Sequence, residues 1–176
     1  DVAEALQYAH AQNIVHRDIK PENILIEQTT GRALVTDFGI ARAIEKAADL
    51  ATVTSTGLTL GTPTYMSPEQ AAAEHHIDGR SDIYSLGCVL YEMLGGSPPF
   101  TGPTARAIIA QHLNERPRSL RVVRPDLPTT VDETLFVTGK LAEPALRATL
   151  ERMAPAFPYE VAVLRNTVAA VMTTAW

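Results

Sequence analysis

The chain has 176 residues, 45% of them hydrophobic, and its 15 Lys and Arg against 20 Asp and Glu give a formal net charge of −5. That length supports one core and not two, and the acidic balance supplies no bulk basic field of the kind nucleic acid or an anionic membrane surface selects. Cys88 is the only cysteine, which excludes an internal disulfide, and no uncharged apolar run reaches the ~18 residues a bilayer span needs. No signal-peptide pattern opens the sequence. Asp1 leads straight into helical text, which suggests a chain cut from a longer one. Val2, Ala5, Leu6 and Ala9 recur at helical spacing and predict a helix over residues 2 to 12, closed by the polar Gln12-Asn13 step.

Two short apolar runs come next, Ile24 to Ile26 and Leu34 to Thr36, joined by a polar link from Gln28 to Arg32 that contains a glycine. They predict an antiparallel hairpin. With residues 24 and 36 opposite each other, Asn23 and Asp37 fall side by side at its open end, and Asp18 lies on the loop feeding the first strand. Oxygen side chains of this kind, with Lys20 nearby, suit hard magnesium and phosphate oxygens. Phosphoryl transfer asks for such a set. Asn23 and Asp37 would hold the metal, Asp18 would orient the attacking hydroxyl, and Lys20 would face the migrating phosphate. Singly, each residue has a plainer explanation as a turn former or a cap. Together their types, order and spacing agree with one mechanism.

The run His16-Arg17-Asp18-Ile19-Lys20-Pro21-Glu22-Asn23, followed by Asp37-Phe38-Gly39, resembles the catalytic and metal-binding loops of eukaryotic-like protein kinases. The lysine two residues after the aspartate is similar to the serine/threonine-specific branch. The resemblance implies an α+β, mainly α fold: the C-terminal lobe of a kinase domain with a catalytic-loop hairpin across residues 1–155, followed by a divergent helix in 156–176. It also implies ATP with magnesium, or manganese, as cofactors, protein substrates, and a kinase homodimer as a further partner. The helix at residues 2 to 12 would be part of the long central helix that supports the catalytic loop.

From Ile40 to Leu60 the text is polar, rich in alanine and threonine, and aperiodic, which predicts a surface loop. A phosphate on such a loop adds up to two negative charges and can order it against an arginine. By resemblance to kinases regulated in this way, Arg17 is the receiving cation and Thr54 and Thr56 are the regulatory sites. The segment Gly61 to Glu69 resembles the end of an activation segment. Thr62 would bond near Asp18 and Lys20, the turn from Thr62 to Tyr65 would meet the residue after the phospho-acceptor, and Glu69 would be the buried partner of Arg147. His75 and His76 lack a suitably spaced third ligand and predict a solvated turn.

Ile83, Leu86, Val89, Leu90, Met93 and Leu94 predict a helix apolar on most of its circumference, hence central to the core, with Cys88 inside it and a stop at Gly95-Gly96. Asp82 in its first turn reads as a cap. The resemblance makes it instead a buried aspartate that pins the catalytic-loop backbone. After the rigid turn Ser97 to Gly102, residues Ala105, Ile108, Ile109 and Leu113 predict a second amphipathic helix, ended by Pro117. Arg116, Arg118, Arg121 and Arg124 form a basic, solvated face. Further helices are predicted near residues 130–141 and 158–172.

The 176 residues contain no glycine-rich G-x-G-x-x-G strand pair and no strand lysine in a V-A-I-K context. The resemblance places these in an N-terminal lobe upstream of Asp1, so this chain is expected to supply the floor and rear of a nucleotide cleft and to be inactive alone. The phrase Ser81 to Gly87 and the Pro98 to Gly102 turn look like the bacterial branch, which implies a cytoplasmic kinase domain in a parent protein that can carry a plasma-membrane anchor. A pseudokinase-like scaffold and a small-molecule phosphotransferase are the competing readings. The threonine-bearing loop and Ser67-Pro68-Glu69 argue against the latter, because a protein acceptor needs an extended platform.

Overall fold

Helix α1 (Val2–Ala11) buries Val2, Ala3, Leu6 and Ala9 along one face. It stops one residue earlier than the periodicity predicts, because Asn13 takes a left-handed conformation at φ 58°. The Ile14 amide then reaches back to the Ala9 carbonyl and the Asn13 amide to that of His10, both at 2.9 Å. This double closure satisfies the carbonyls that a helix end otherwise orphans. The computed structural model describes residues 2–38 and 63–127. The loop from Ile40 to Leu60 and both helices expected beyond residue 128 lie outside them, as do Gly39, Thr54, Thr56, Thr62 and Arg147.

Strands β1 (Ile24–Ile26) and β2 (Ala33–Val35) pair antiparallel with Ile24 opposite Val35, Leu25 opposite Leu34 and Ile26 opposite Ala33. The hairpin is present, but its register is one residue tighter than the sequence expectation of 24 opposite 36. The turn explains the difference. Glu27 donates its amide to Arg32 at 2.9 Å and accepts from Gly31 at 2.8 Å, which closes an even, four-residue loop with Gly31 left-handed at φ 69°. The expected register needs an odd number of loop residues. Burial enforces the choice, since a one-residue slip would turn every side chain over. In the observed register Ala33 is buried in the core cluster and Ile24 and Val35 pack against it, while Leu25 and Leu34 face outward.

Helix α2 (Pro68–Ala71) is a single turn capped by Ser67, whose hydroxyl accepts from the Gln70 amide while the Gln70 side chain returns to the Ser67 amide. Helix α3 (Gly79–Gly95) is the axis of the lobe. Asp78 caps its start, and Gly96, left-handed at φ 79°, closes its end. Ser81, Asp82, Ser85, Leu86, Cys88, Val89, Leu90, Tyr91 and Leu94 are buried along it, so it presents core on most of its circumference, as its composition predicts. Val2 and Leu6 of α1, Ile19, Ala33, Leu120 and Leu127 join it in one cluster. The described residues are therefore mainly helical with one small hairpin, an α+β lobe. None of their helices is long and apolar enough to cross a membrane.

Helix α4 (Ala105–Asn114) forms where the second amphipathic pattern predicts, but with a different inner face. Ile108 and His112 are buried, whereas Leu113 is 45% exposed and Ala105 is exposed. A histidine displaces the expected leucine inward because hydrogen-bond partners await it there. His75 and His76 are exposed, as expected of a solvated turn.

Gly79 marks the tightest approach between α1 and α3. A Cβ there would lie 2.5 Å from Nδ1 and 2.7 Å from Cε1 of His10, and that ring is held in place by Asp82 at 2.7 Å. Gly79→Ala is expected to destabilise the protein by about 1–3 kcal/mol, the range for overpacking, read as a lower urea midpoint at unchanged m. An unchanged midpoint would show that the two helices do not meet as described.

Candidate active site

The loop between α1 and β1 carries the chemistry-bearing residues, and its shape is set from below by Asp82. This carboxylate is fully buried. Oδ2 accepts from the His16 amide at 2.8 Å and Oδ1 from the Arg17 amide at 2.7 Å. His10 closes on Oδ2 at 2.7 Å, and because a carboxylate only accepts, His10 Nε2 is the donor. Three donors on two oxygens are what a charge in a dry core requires. Asp82 is thus one turn inside α3, while Asp78 performs the capping.

Arg17 sits at φ 68°, a left-handed conformation unusual for a residue with a Cβ and costing of order 1–3 kcal/mol. Its peptide is clamped from both sides, the amide by Asp82 and the carbonyl by the Gln70 side chain at 2.7 Å. The clamp turns the next residue, Asp18, outward. The Asp18 side chain remains 47% exposed, and its Oδ2 accepts from Lys20 Nζ at 2.7 Å. Asn23, buried at the start of the hairpin, directs its amide nitrogen to Asp18 Oδ2 at 3.0 Å and to the Asp18 carbonyl at 2.8 Å. Asp18, Lys20 and Asn23 are one constellation.

Asp37 is reached through the backbone. The tighter register sets Asn23 opposite Thr36 instead of Asp37, and the Thr36 amide donates to the Asn23 carbonyl at 3.0 Å. Asp37 is the following residue, exposed and left-handed at φ 64°. His16 fixes both of its flanks. Its Nε2 donates to the Thr36 carbonyl at 2.7 Å, its Nδ1 accepts from the Asp18 amide at 3.2 Å, and its ring meets that of Phe38 edge-on with centroids 4.7 Å apart. One fully buried imidazole thus ties the loop of Asp18 to the segment of Asp37.

Glu69, at the start of α2, is partly exposed and accepts from the Ser81 hydroxyl, which itself accepts from Ser67 at 3.1 Å. Its expected partner, Arg147, lies outside the described residues. His10 and Gln70 had no assigned part in the sequence reading. Gln70 was detectable, since Ser67-x-x-Gln70 is a capping box, although the second use of its amide on Arg17 is not written in any local pattern. His10 carried no such signal. Among the described residues no group of three or more His, Cys, Asp or Glu could hold a metal.

A mostly helical lobe with one small hairpin, offering a carboxylate, an amine and an amide at the hairpin's open end, has the architecture of a protein-kinase C-terminal lobe. The protein kinase domain family model matches residues 1–154, and the chain belongs to that family. It is 51% identical over 131 residues, 74% of the chain, to a probable serine/threonine-protein kinase PknB of Bifidobacterium longum. It is 50% identical over 117 residues, 66% of the chain, to the serine/threonine-protein kinase PknB of Mycobacterium leprae. It is 47% identical over 143 residues, 81% of the chain, to the serine/threonine-protein kinase PknA of Mycobacterium tuberculosis. These matches span 18%, 18% and 31% of the relatives' own lengths.

Removing the acceptor beneath the loop tests its construction. Asp82→Asn keeps one oxygen and presents N–H groups to backbone N–H groups, which is expected to cost about 1–3 kcal/mol for each donor left unmatched. Chemical denaturation reads the loss, and a variant as stable as the parent would contradict the clamp.

Proposed function

We propose that this chain is the acceptor-binding and metal-binding lobe of a serine/threonine protein kinase that transfers the γ-phosphate of ATP to protein hydroxyls. The observation that carries the reading is the Asp18 carboxylate, with Oδ2 held by Lys20 at 2.7 Å and Asn23 at 3.0 Å. Those two donors fix the carboxylate's orientation and leave Oδ1 to accept the proton of an incoming hydroxyl. The side chain's exposure supports this, because an acceptor must reach it. Lys20 places a positive charge beside the point of transfer, where charge on the migrating phosphoryl oxygens would otherwise go unopposed.

Asn23 and Asp37 fit a magnesium ion by donor chemistry. The Asn23 amide nitrogen is committed to Asp18, which turns its Oδ1 the other way, and Asp37 adds an exposed carboxylate one residue beyond the hairpin bond. One amide oxygen and one carboxylate are a hard, sparse set of the sort that holds magnesium together with water and phosphate oxygens; manganese suits it as well. When bound, magnesium-ATP supplies the transferable phosphoryl group and the charge that neutralises its oxygens. His16 and Phe38 keep Asp37 in register with Asn23. In this reading Arg17, adjacent to the base, would receive a phosphate on Thr54 or Thr56, Thr62 would bond near Asp18 and Lys20, and Arg147 would pair with Glu69.

These 176 residues bring neither a glycine-rich loop nor a strand lysine to hold the nucleotide's phosphates. Each ~1.4 kcal/mol of transition-state stabilisation lost lowers the rate tenfold, so the chain by itself is expected to turn over far more slowly than when joined to a nucleotide-gripping lobe. In the full-length protein, Asp18→Asn is expected to reduce phosphorylation of a serine/threonine peptide by about 10²–10⁴-fold, measured as radiolabel transfer from ATP. Transfer that survives the substitution, or proceeds at full rate in the 176 residues alone, would refute the assignment.

A further inference from the structure

Behind the site lies a buried polar chain that the reading above does not use. His112 of α4 is 4% exposed. Its Nε2 lies 3.2 Å from the Thr64 carbonyl and its Nδ1 lies 2.9 Å from the Tyr84 hydroxyl of α3. A carbonyl only accepts, so Nε2 carries the proton, and Nδ1 must take one from Tyr84. Donation therefore runs in one direction, from Tyr84 to His112 to the carbonyl of Thr64. Burial holds the His112 imidazole below its usual range, which keeps Nδ1 an acceptor. Phe100 packs edge-on against the ring at 4.8 Å and fixes its plane.

The far end of this chain is the turn Pro63–Tyr65. Pro63 and Thr64 are buried, and the Tyr65 hydroxyl bonds Glu92 of α3. The same segment runs on through Ser67 into α2, where Gln70 grips the carbonyl of Arg17 next to Asp18. The turn is thus held from three sides: by α3 through Tyr65, by α2 and its link to the Asp18 loop, and by α4 through His112. A single hydrogen bond to a main-chain carbonyl sets height without dictating side-chain identity.

We infer that His112 is a positioning residue for acceptor binding: its Nε2–H holds the Thr64 carbonyl, and through it the turn flanking Asp18, at the height an acceptor peptide needs. The inference rests on the kinase reading. It assigns His112 an effect on the acceptor and none on the nucleotide, because Lys20 and Asn23 bond Asp18, and His16 holds the Thr36 carbonyl beside Asp37, through contacts that do not pass through the Thr64 carbonyl.

The test uses the full-length protein with a serine/threonine peptide and magnesium-ATP. His112→Gln places an amide N–H where Nε2 lies, His112→Asn retains an acceptor only near Nδ1, and His112→Leu retains neither. The expected result is a peptide KM raised about tenfold in His112→Asn and His112→Leu, a KM within twofold of the parent in His112→Gln, and an unchanged KM for ATP in all three. Amide hydrogen exchange over residues 63–66 should quicken in His112→Asn while α1 keeps its protection, which gives a readout even where His112→Leu fails to fold. Equal KM for peptide in the parent and His112→Asn, or parallel losses for peptide and ATP, would overturn the inference with the kinase reading intact. A parent protein that phosphorylates no acceptor would overturn both.

Discussion

The bond between the Asp82 carboxylate and the two consecutive backbone amides of His16 and Arg17 is the contact on which the rest of the lobe depends. A loop that must present a carboxylate to solvent has no ladder of its own to hold it, and in water its backbone groups would wander among many conformations. Placing one buried charge beneath it substitutes a fixed acceptor for solvent. The energetic requirement is that the charge be fully met, and two amides with His10 meet it. The left-handed Arg17 follows from this arrangement: the peptide must turn to give up both amides, and Gln70 catches the carbonyl that the turn exposes.

From that anchor two further couplings spread. His16, buried beside the clamp, spends both ring nitrogens on linking the Asp18 amide to the carbonyl preceding Asp37. Asn23 spends its amide on Asp18 and its backbone carbonyl on Thr36. A loop, a one-turn 3₁₀ helix at Pro21–Asn23 and the open end of a hairpin are thereby joined by hydrogen bonds to one another and, through Asp82, to the central helix. The hydrophobic cluster of α1, α3 and the hairpin provides the rigid frame that makes such placement reproducible.

Much of this was readable from residues alone, for reasons that differ by element. Helix α3 declared itself through an apolar pattern wider than one face, and its end through paired glycines. The constellation of Asp18, Lys20 and Asn23 was readable because it is packed into six consecutive residues, where spacing leaves few geometries. The register of the hairpin was not, since it turns on whether the connecting loop holds an odd or even number of residues, and Gly31 settles that only once its left-handed backbone is seen. Leu113 and His112 exchanged places because periodicity scores a histidine as polar, whereas Tyr84 and the Thr64 carbonyl give this one a satisfied interior position. His10 was invisible for a related reason: its partner is 72 residues away in sequence.

The central claim is the proposed division of labour, in which Asn23 and Asp37 would hold the metal-nucleotide while Asp18 would serve only the acceptor. Binding of manganese-ATP to the full-length protein, followed by titration calorimetry in single variants, separates the two roles. The account predicts that Asp18→Asn binds manganese-ATP as the parent does, whereas Asn23→Ala and Asp37→Ala each weaken it at least about tenfold, a difference of ~1.4 kcal/mol. Equal affinity in Asp37→Ala and the parent, or a loss of binding confined to Asp18→Asn, would contradict it.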